Sequence, residues 1–292
     1  KLRKIFEYSN LKVDKILYYI RRQDLFAESH YHEMVKNPIS KYRDFFKNCI
    51  ASIWLFNILN YNNILSNWKE IFPEAEIIVR IYDRKLFPEG NVILDFLSVL
   101  GLDIPEAKTE KIEANPSLSH LSTLVLLRIN EEFNLSQKDH IKVIQYLFEL
   151  DKVDRGIIKT FFSLQERIKF LEHFRESNER VFKEYFSMDN QFILSEEEIK
   201  FYEEQDKIPA EVKDRAVEER FRHVLDFMKQ REILLKEHIL PKVRVNIFPN
   251  EKLEFFRIDI LHANLLNGKL TVGGLALPKE NIYNNMKLLL KD

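Results

Sequence analysis

The sequence predicts an α/β protein that is rich in helix and carries a separate, mostly β module at its C-terminal end. Three observations predict it. Two short runs, Asp14 to Ile20 and Glu76 to Tyr82, are apolar almost without interruption, as strands buried on both faces of a parallel sheet are. Amphipathic helical segments lie between and after them, in the strand–helix–strand order of crossover connections. Beyond Pro241 the pattern changes to alternating or β-branched runs, and three glycines (Gly268, Gly273, Gly274) of the chain's six fall there.

The elements follow in order. Asp14 to Ile20 is the first strand, with Ile16 to Ile20 as its apolar run. Residues 23–36 read as a helix with Phe26, Tyr31, Met34 and Val35 available for burial, ended by Pro38. Residues 41–48 and 50–70 read as two more helices, the second with Ile53, Phe56, Leu59 and Leu65 at helical spacing. Pro73 breaks that pattern, and Glu76 to Tyr82 is the second strand. Asn91 to Leu100 is a helix, and Gly101 stands where a left-handed closing residue is needed. Residues 115–149 read as helical with Ser119 as N-cap. Ser163-Leu-Gln-Glu166 and Ser195-Glu-Glu-Glu198 are capping-box signatures; the first opens a helix to Phe186, the second a charged helical stretch. Residues 211–240 form one long helix with an apolar face through Val217, Phe221, Val224 and Met228. Val243 to Phe248, Leu253 to Leu261 and Lys269 to Leu277 are strands, with Asn267-Gly268 as a two-residue hairpin turn.

Composition bounds the function. The 292 residues are 45% hydrophobic and 31% charged, enough for a packed core and too apolar for global disorder. A net charge of −1 gives no basic excess for a nucleic-acid surface, so any anion site must be local. Cys49 is the single cysteine, which excludes an intrachain disulfide and a cysteine zinc cluster; it reads as an inert core thiol and fits a cytoplasmic setting. No run reaches the length of a membrane span, and the charged start Lys1-Leu-Arg-Lys reads as no signal peptide.

The chemistry-bearing segment is Tyr18-Tyr-Ile-Arg21-Arg22-Gln-Asp24-Leu-Phe-Ala-Glu28-Ser29-His30-Tyr-His32. Open α/β sheets bind ligands beyond the carboxyl ends of their strands. Arg21 stands at such an end, and Ser29 lies eight residues on, within the next helix. A guanidinium fork and a hydroxyl suit a phosphate, with helix N-terminal amides adding to the site. His30 and His32, two apart on a helix, face different ways and do not form a paired metal site. Arg80, Asp83 and Arg84 follow the second strand and either line the same crevice or form a loop ion pair.

This segment resembles the 3′-phosphate-binding motif of the sulfotransferases, a strand ending in Arg with Ser eight residues later. It is similar in particular to the bacterial sulfotransferase-like proteins of cell-surface polysaccharide pathways. The resemblance continues in order through Leu59-Asn-Tyr61, Trp68 to Phe72, Ile78 to Arg84, Asp95-Phe-Leu97, Leu100-Gly-Leu102, Asn115-Pro-Ser-Leu-Ser119, Ser163 with Glu166-Arg167, and Ser177-Asn178 with Tyr185. It covers roughly residues 14–190.

The resemblance implies a P-loop-type three-layer domain over residues 1–190; the charged stretch 191–241 reads as a helical connector and residues 242–292 as the β module. The donor would be 3′-phosphoadenosine 5′-phosphosulfate (PAPS), the acceptor a carbohydrate, with no metal and a peripheral association with glycan-synthesis machinery. Arg21 and Ser29 would hold the donor's 3′-phosphate; no residue is assigned as catalytic base. The family's loop for the 5′-phosphosulfate precedes the Arg…Ser motif, and the twenty residues before Arg21 contain none. The expectation is therefore the C-terminal portion of such an enzyme, lacking its first βα unit and inactive by itself. The alternative is a non-catalytic interaction or scaffold protein with a sulfotransferase-like core. A glycosyltransferase would need an Asp-x-Asp pair, which is not seen. The residues Phe256 to Ala276 loosely resemble small β-sandwich modules appended to bacterial glycan-processing enzymes.

Overall fold

The structure, a computed structural model, describes residues 8, 12–37, 47, 50–102, 117–233, 256–266 and 269–278. The expected helix over 41–48, Cys49, the Asn115-Pro116 start, the strand Val243 to Phe248 and the turn Asn267-Gly268 lie outside them, wholly or in most part. The chain divides into two compact units, Lys1–Leu235 and Lys236–Asp292.

The first unit opens with β1 (Lys15–Ile20) and α1 (Gln23–Val35). Then come α2 (Ile53–Leu59), α3 (Tyr61–Ile71), β2 (Glu76–Ile81) and α4 (Val92–Val99). β1 and β2 pair in parallel from Lys15 opposite Glu76 to Ile20 opposite Ile81. The α/β reading thus holds at the level of class: a two-stranded parallel sheet joined by helices and outnumbered by them. The remaining helices are α5 (His120–Glu132), α6 (Gln137–Val153), α7 (Leu164–His173), α8 (Arg175–Phe186), α9 (Glu196–Asp206) and α10 (Ala210–Gln230).

Three expected helices are each two. The 50–70 segment breaks at Asn60, whose backbone leaves the helical region (φ −82°, ψ 80°) while its side chain caps α3 by accepting the Asn63 amide. The 115–149 segment breaks before Ser136, which caps α6 by accepting the Asp139 amide. The 163–186 segment breaks at Phe174 (φ −101°, ψ 2°). In the first two, a short polar side chain competes with the backbone for a free N–H and favours a new helix start.

One core runs through this unit. Ile20 of β1, Tyr31 and Val35 of α1, Leu55 and Leu59 of α2, Val125 and Ile129 of α5, Val143 and Leu147 of α6 and Phe182 of α8 are all buried in it. The stretch 191–241, read from its charge as a connector, holds α9 and α10, and α10 places Phe221, Val224 and Met228 in the same core. A buried polar hub ties α10 to α5 and α6: Asp151 accepts the Ser119 amide at 2.6 Å, the Ser119 and Ser122 hydroxyls at 2.7 Å each and Arg220 Nη1 at 2.7 Å. All four Asp151 contacts are short and charge-assisted, the form of hydrogen bond that a buried carboxylate requires.

In the second unit, β3 (Phe256–Leu266) and β4 (Lys269–Pro278) pair antiparallel, with a register shift between Ile260 and His262. The described pairing runs from Phe256 opposite Pro278 to Leu266 opposite Lys269.

Candidate anion site at the end of the first strand

The junction between β1 and α1 is built from two arginines with opposite surroundings. Arg22 is enclosed by acceptors. Its Nε and Nη2 donate to Asp24 at 2.8 and 3.1 Å, its Nη1 and Nη2 to Glu198 at 2.9 and 2.6 Å, and Nη1 also to the Ile193 carbonyl at 3.0 Å. Burial alone would lower its pKa, and the Glu198 and Asp24 contacts more than reverse this. Arg21 is half-buried and, among the described residues, has no carboxylate partner. Its guanidinium lies over the Tyr82 ring, 5.8 Å from the centroid. Desolvation pulls its pKa below the ordinary arginine value. The nearby Asp24 and Glu28 carboxylates partly offset this without contacting it directly.

The backbone of Arg21 is held on both sides. The Tyr61 hydroxyl, at the start of α3, donates to the Arg21 carbonyl at 2.6 Å and accepts the Arg21 amide at 3.3 Å. Tyr61 is itself buried, which raises its pKa. Ser29 stands two turns into α1, about 9 Å along the helix from its start. It lies on the half-open face with Leu25, Phe26 and His30, and its hydroxyl has no partner among the described residues. His30 stacks on Phe26 at 6.1 Å, and burial lowers its pKa.

The opposite face of α1 is polar and buried. Gln23, Asp24, Glu28 and His32 point inward beside Ala27, Tyr31 and Val35. Arg167 of α7, fully buried, pairs with Asp24 through Nη1 and with Glu28 through Nη2 at 3.0 Å. Glu28 also accepts the Thr160 hydroxyl at 2.9 Å and the Phe161 amide at 2.8 Å. Burial would raise the Glu28 pKa, but His120, Arg167 and the Phe161 amide bring it down to about 2. His32 bonds Thr123 through Nδ1 at 2.6 Å, and burial with the nearby His120 pushes its pKa down to about 3. Gln23 exchanges amide hydrogen bonds with Asn178 of α8 at 2.6 and 3.1 Å.

The structure therefore brings Arg21 to the carboxyl end of β1 and Ser29 to the open face of the next helix. It also joins the early segment to the later ones noted in the sequence, Asp24 and Glu28 with Arg167, Gln23 with Asn178, Arg21 with Tyr61. His30 and His32 lie on different faces, as their spacing requires. Arg80 forms an ion pair with Asp95 of α4, which also accepts the Tyr19 hydroxyl at 2.7 Å; burial, then this bond, raise the Tyr19 pKa to about 12. Asp83 caps the following turn by accepting the Lys85 amide at 3.0 Å. Among the described residues no cluster of His, Cys, Asp and Glu could hold a metal ion, and no helix is long and apolar enough to cross a membrane.

Residue-level reading of the sequence missed Glu198, Thr160 and His120. Glu198 was visible as the far end of a capping box, but its second bond, to Arg22, is a tertiary contact without a local signal.

No protein-family model matches the chain, and no solved structure does. An uncharacterized protein of Archaeoglobus fulgidus is 60% identical over 289 residues, spanning 99% of this chain and 78% of that protein. A second uncharacterized protein of the same organism is 44% identical over 71 residues, 24% of this chain and 62% of its own length. Both relatives are archaeal, and neither supports the bacterial setting that the resemblance implies. With 60% identity across nearly its whole length, the chain belongs to the same family as the first of these Archaeoglobus fulgidus proteins.

Proposed function

We propose that the chain belongs to a sulfotransferase that moves a sulfuryl group from PAPS to a cell-surface carbohydrate. One observation carries the reading: Arg21 is desolvated at the carboxyl end of a parallel strand with no direct carboxylate ion pair among the described residues, while its neighbour Arg22 is paired with both Asp24 and Glu198. An anion would supply that direct contact, and Ser29 on the following helix offers a second donor. In the proposed complex Arg21 and Ser29 hold the donor's 3′-phosphate.

Sulfuryl transfer breaks the bond between sulfur and the bridging oxygen of the 5′-phosphate. It forms a bond from sulfur to the acceptor oxygen, whose proton passes to a base. The leaving group is adenosine 3′,5′-bisphosphate. Little covalent work falls to the protein, so in-line positioning and charge neutralisation at the leaving phosphate dominate, as in phosphoryl transfer. The clamp at Arg21 contributes positioning. No residue of the chain is assigned to the 5′-phosphate or to the base.

The test is calorimetric titration of the full-length protein with adenosine 3′,5′-bisphosphate. Loss of a charge-assisted phosphate contact in Arg21→Ala weakens binding by about tenfold or more, and Ser29→Ala by several-fold. Absence of binding to the full-length protein sinks the enzyme reading and leaves the non-catalytic scaffold. Unchanged transfer by Arg21→Ala removes the clamp from the mechanism.

A further inference from the structure

We propose that the cleft between the start of α3 and the α7–α8 junction binds a neutral polyhydroxylated ligand, one sugar unit of a glycan. The cleft has a volume of about 260 Å³ and opens to solvent. Its floor is a cross-link between two helix starts. Asn60 Oδ1 accepts the Asn63 amide at 3.2 Å and the Ser177 hydroxyl at 3.0 Å, and Ser177 Oγ accepts the Asn62 amide at 3.2 Å. These bonds fix the backbone and leave the side-chain carboxamides of Asn62 and Asn63 without a partner among the described residues.

Each carboxamide offers two donors and an acceptor side by side, the complement of hydroxyl groups that both donate and accept. The charges of the lining decide the ligand's class. Glu172 pairs with Arg175 at 3.3 Å and Glu176 with Arg180 at 3.8 Å, so two carboxylates and two guanidinium groups cancel. An anion entering the cleft meets both carboxylates, a cation both arginines, and an apolar group a mostly polar lining. His173, its ring 4.5 Å from Phe56, supplies a flat wall.

The cleft lies back to back with the Arg21 junction. Tyr61, between Asn60 and Asn62, turns inward and bonds both backbone groups of Arg21. Asn178, next to Ser177, turns inward and bonds Gln23. Two pairs of adjacent residues thus serve the cleft on one side and the strand end on the other. The ligand class follows from the cleft's own residues and stands apart from the identity of the donor at Arg21.

Saturation-transfer NMR on the whole protein tests this, with glucose, galactose and N-acetylglucosamine as neutral probes and glucuronate as the acidic one. The expected result is transfer to a neutral sugar that survives about 0.5 M salt. The double variant Asn62→Ala/Asn63→Ala reduces affinity by about tenfold through two lost hydrogen bonds. Asn60 is left intact because it caps α3. The proposal is overturned by absence of transfer to every neutral sugar, by indifference to the double variant, or by transfer to glucuronate alone that salt abolishes. No bisphosphate enters the experiment, so its failure leaves the donor reading standing.

Discussion

Arg22 and Glu198, 176 positions apart, share two parallel hydrogen bonds of 2.9 and 2.6 Å, and Glu198 is at the same time the closing residue of the capping box at the start of α9. One carboxylate therefore orders a helix start and neutralises the arginine beside the candidate anion site. A bidentate arginine–carboxylate pair adds geometry as well as energy, and here the geometry it fixes is the turn from β1 into α1.

The two adjacent arginines should separate cleanly on substitution. Arg22→Ala leaves Asp24, which is 0% exposed, with one of its two cationic partners gone, and removes the partner of Glu198. Breaking a buried ion pair from one side costs about 3–5 kcal/mol. Arg21→Ala removes a desolvated cation whose contact is the Tyr82 ring, and should change stability by less than about 1 kcal/mol. Urea unfolding of both variants decides it, and equal losses would refute the division of labour between them.

The capping boxes offer an internal comparison. Glu166 and Glu198 both accept the amide of their N-cap serine, at 2.9 Å in each case. Glu198 additionally carries Arg22. Glu166→Ala should cost about 1 kcal/mol, the usual loss of a cap. Glu198→Ala should cost more by about 1–2 kcal/mol for the charged hydrogen bonds to Arg22. The difference should vanish in an Arg22→Ala background, read from the same urea midpoints as a double-mutant cycle.

These boxes were legible in the sequence because their bonds are local, three residues apart. So were the strands, whose apolar runs need no partner to be recognised, and Gly101, whose φ of 68° closes α4. The places of Arg21 just after β1 and of Ser29 within α1 were legible too. The inner face of α1 was not. Residue-level reading assigned its packing to Phe26, Tyr31, Met34 and Val35. The structure packs all four against the core, Phe26 and Met34 partly buried, and in addition buries Gln23, Asp24, Glu28 and His32 on that face. Amphipathic patterning assumes that polar residues face water, and it fails where a helix spends its inner face on ion pairs with partners such as Arg167, 143 positions away from Asp24.

That buried polar face makes stability depend on pH from two groups. His32 has an ordinary pKa of 6.5, depressed to about 3 in the fold. The unfolded chain binds its proton first, so stability falls as pH drops below about 6.5. Glu28, at 4.5 ordinarily and about 2 when folded, follows the same sign: its contribution is present above about pH 4.5 and is lost as pH falls toward 2. Urea midpoints taken from pH 7 down should decline in two stages. His32→Gln should flatten the upper stage, and Glu28→Gln the lower one. A flat wild-type profile between pH 6.5 and 4.5 would show that His32 protonates in the fold without penalty.

The tightest steric demand lies at Gly156, between α6 and the loop that leads to Thr160. Its φ is 76°, and a Cβ added there would stand 2.3 Å from Leu121 Cδ2. Leu121 is 3% exposed and cannot swing into solvent, so Gly156→Ala combines a left-handed backbone with an overlap in the core. Gly101 has nearly the same backbone, φ 68°, with nothing within 4 Å of a new Cβ. Gly101→Ala therefore isolates the backbone strain, about 1 kcal/mol. Gly156→Ala should lose about 2–3 kcal/mol more than that. Thermal melts of the two single variants, with Gly156→Ala/Leu121→Ala as the relief variant, give the separation directly. Removing the Leu121 side chain should recover stability in the Gly156→Ala background and lower it in the parent. A simple sum of the two single losses would mean that the residues do not touch.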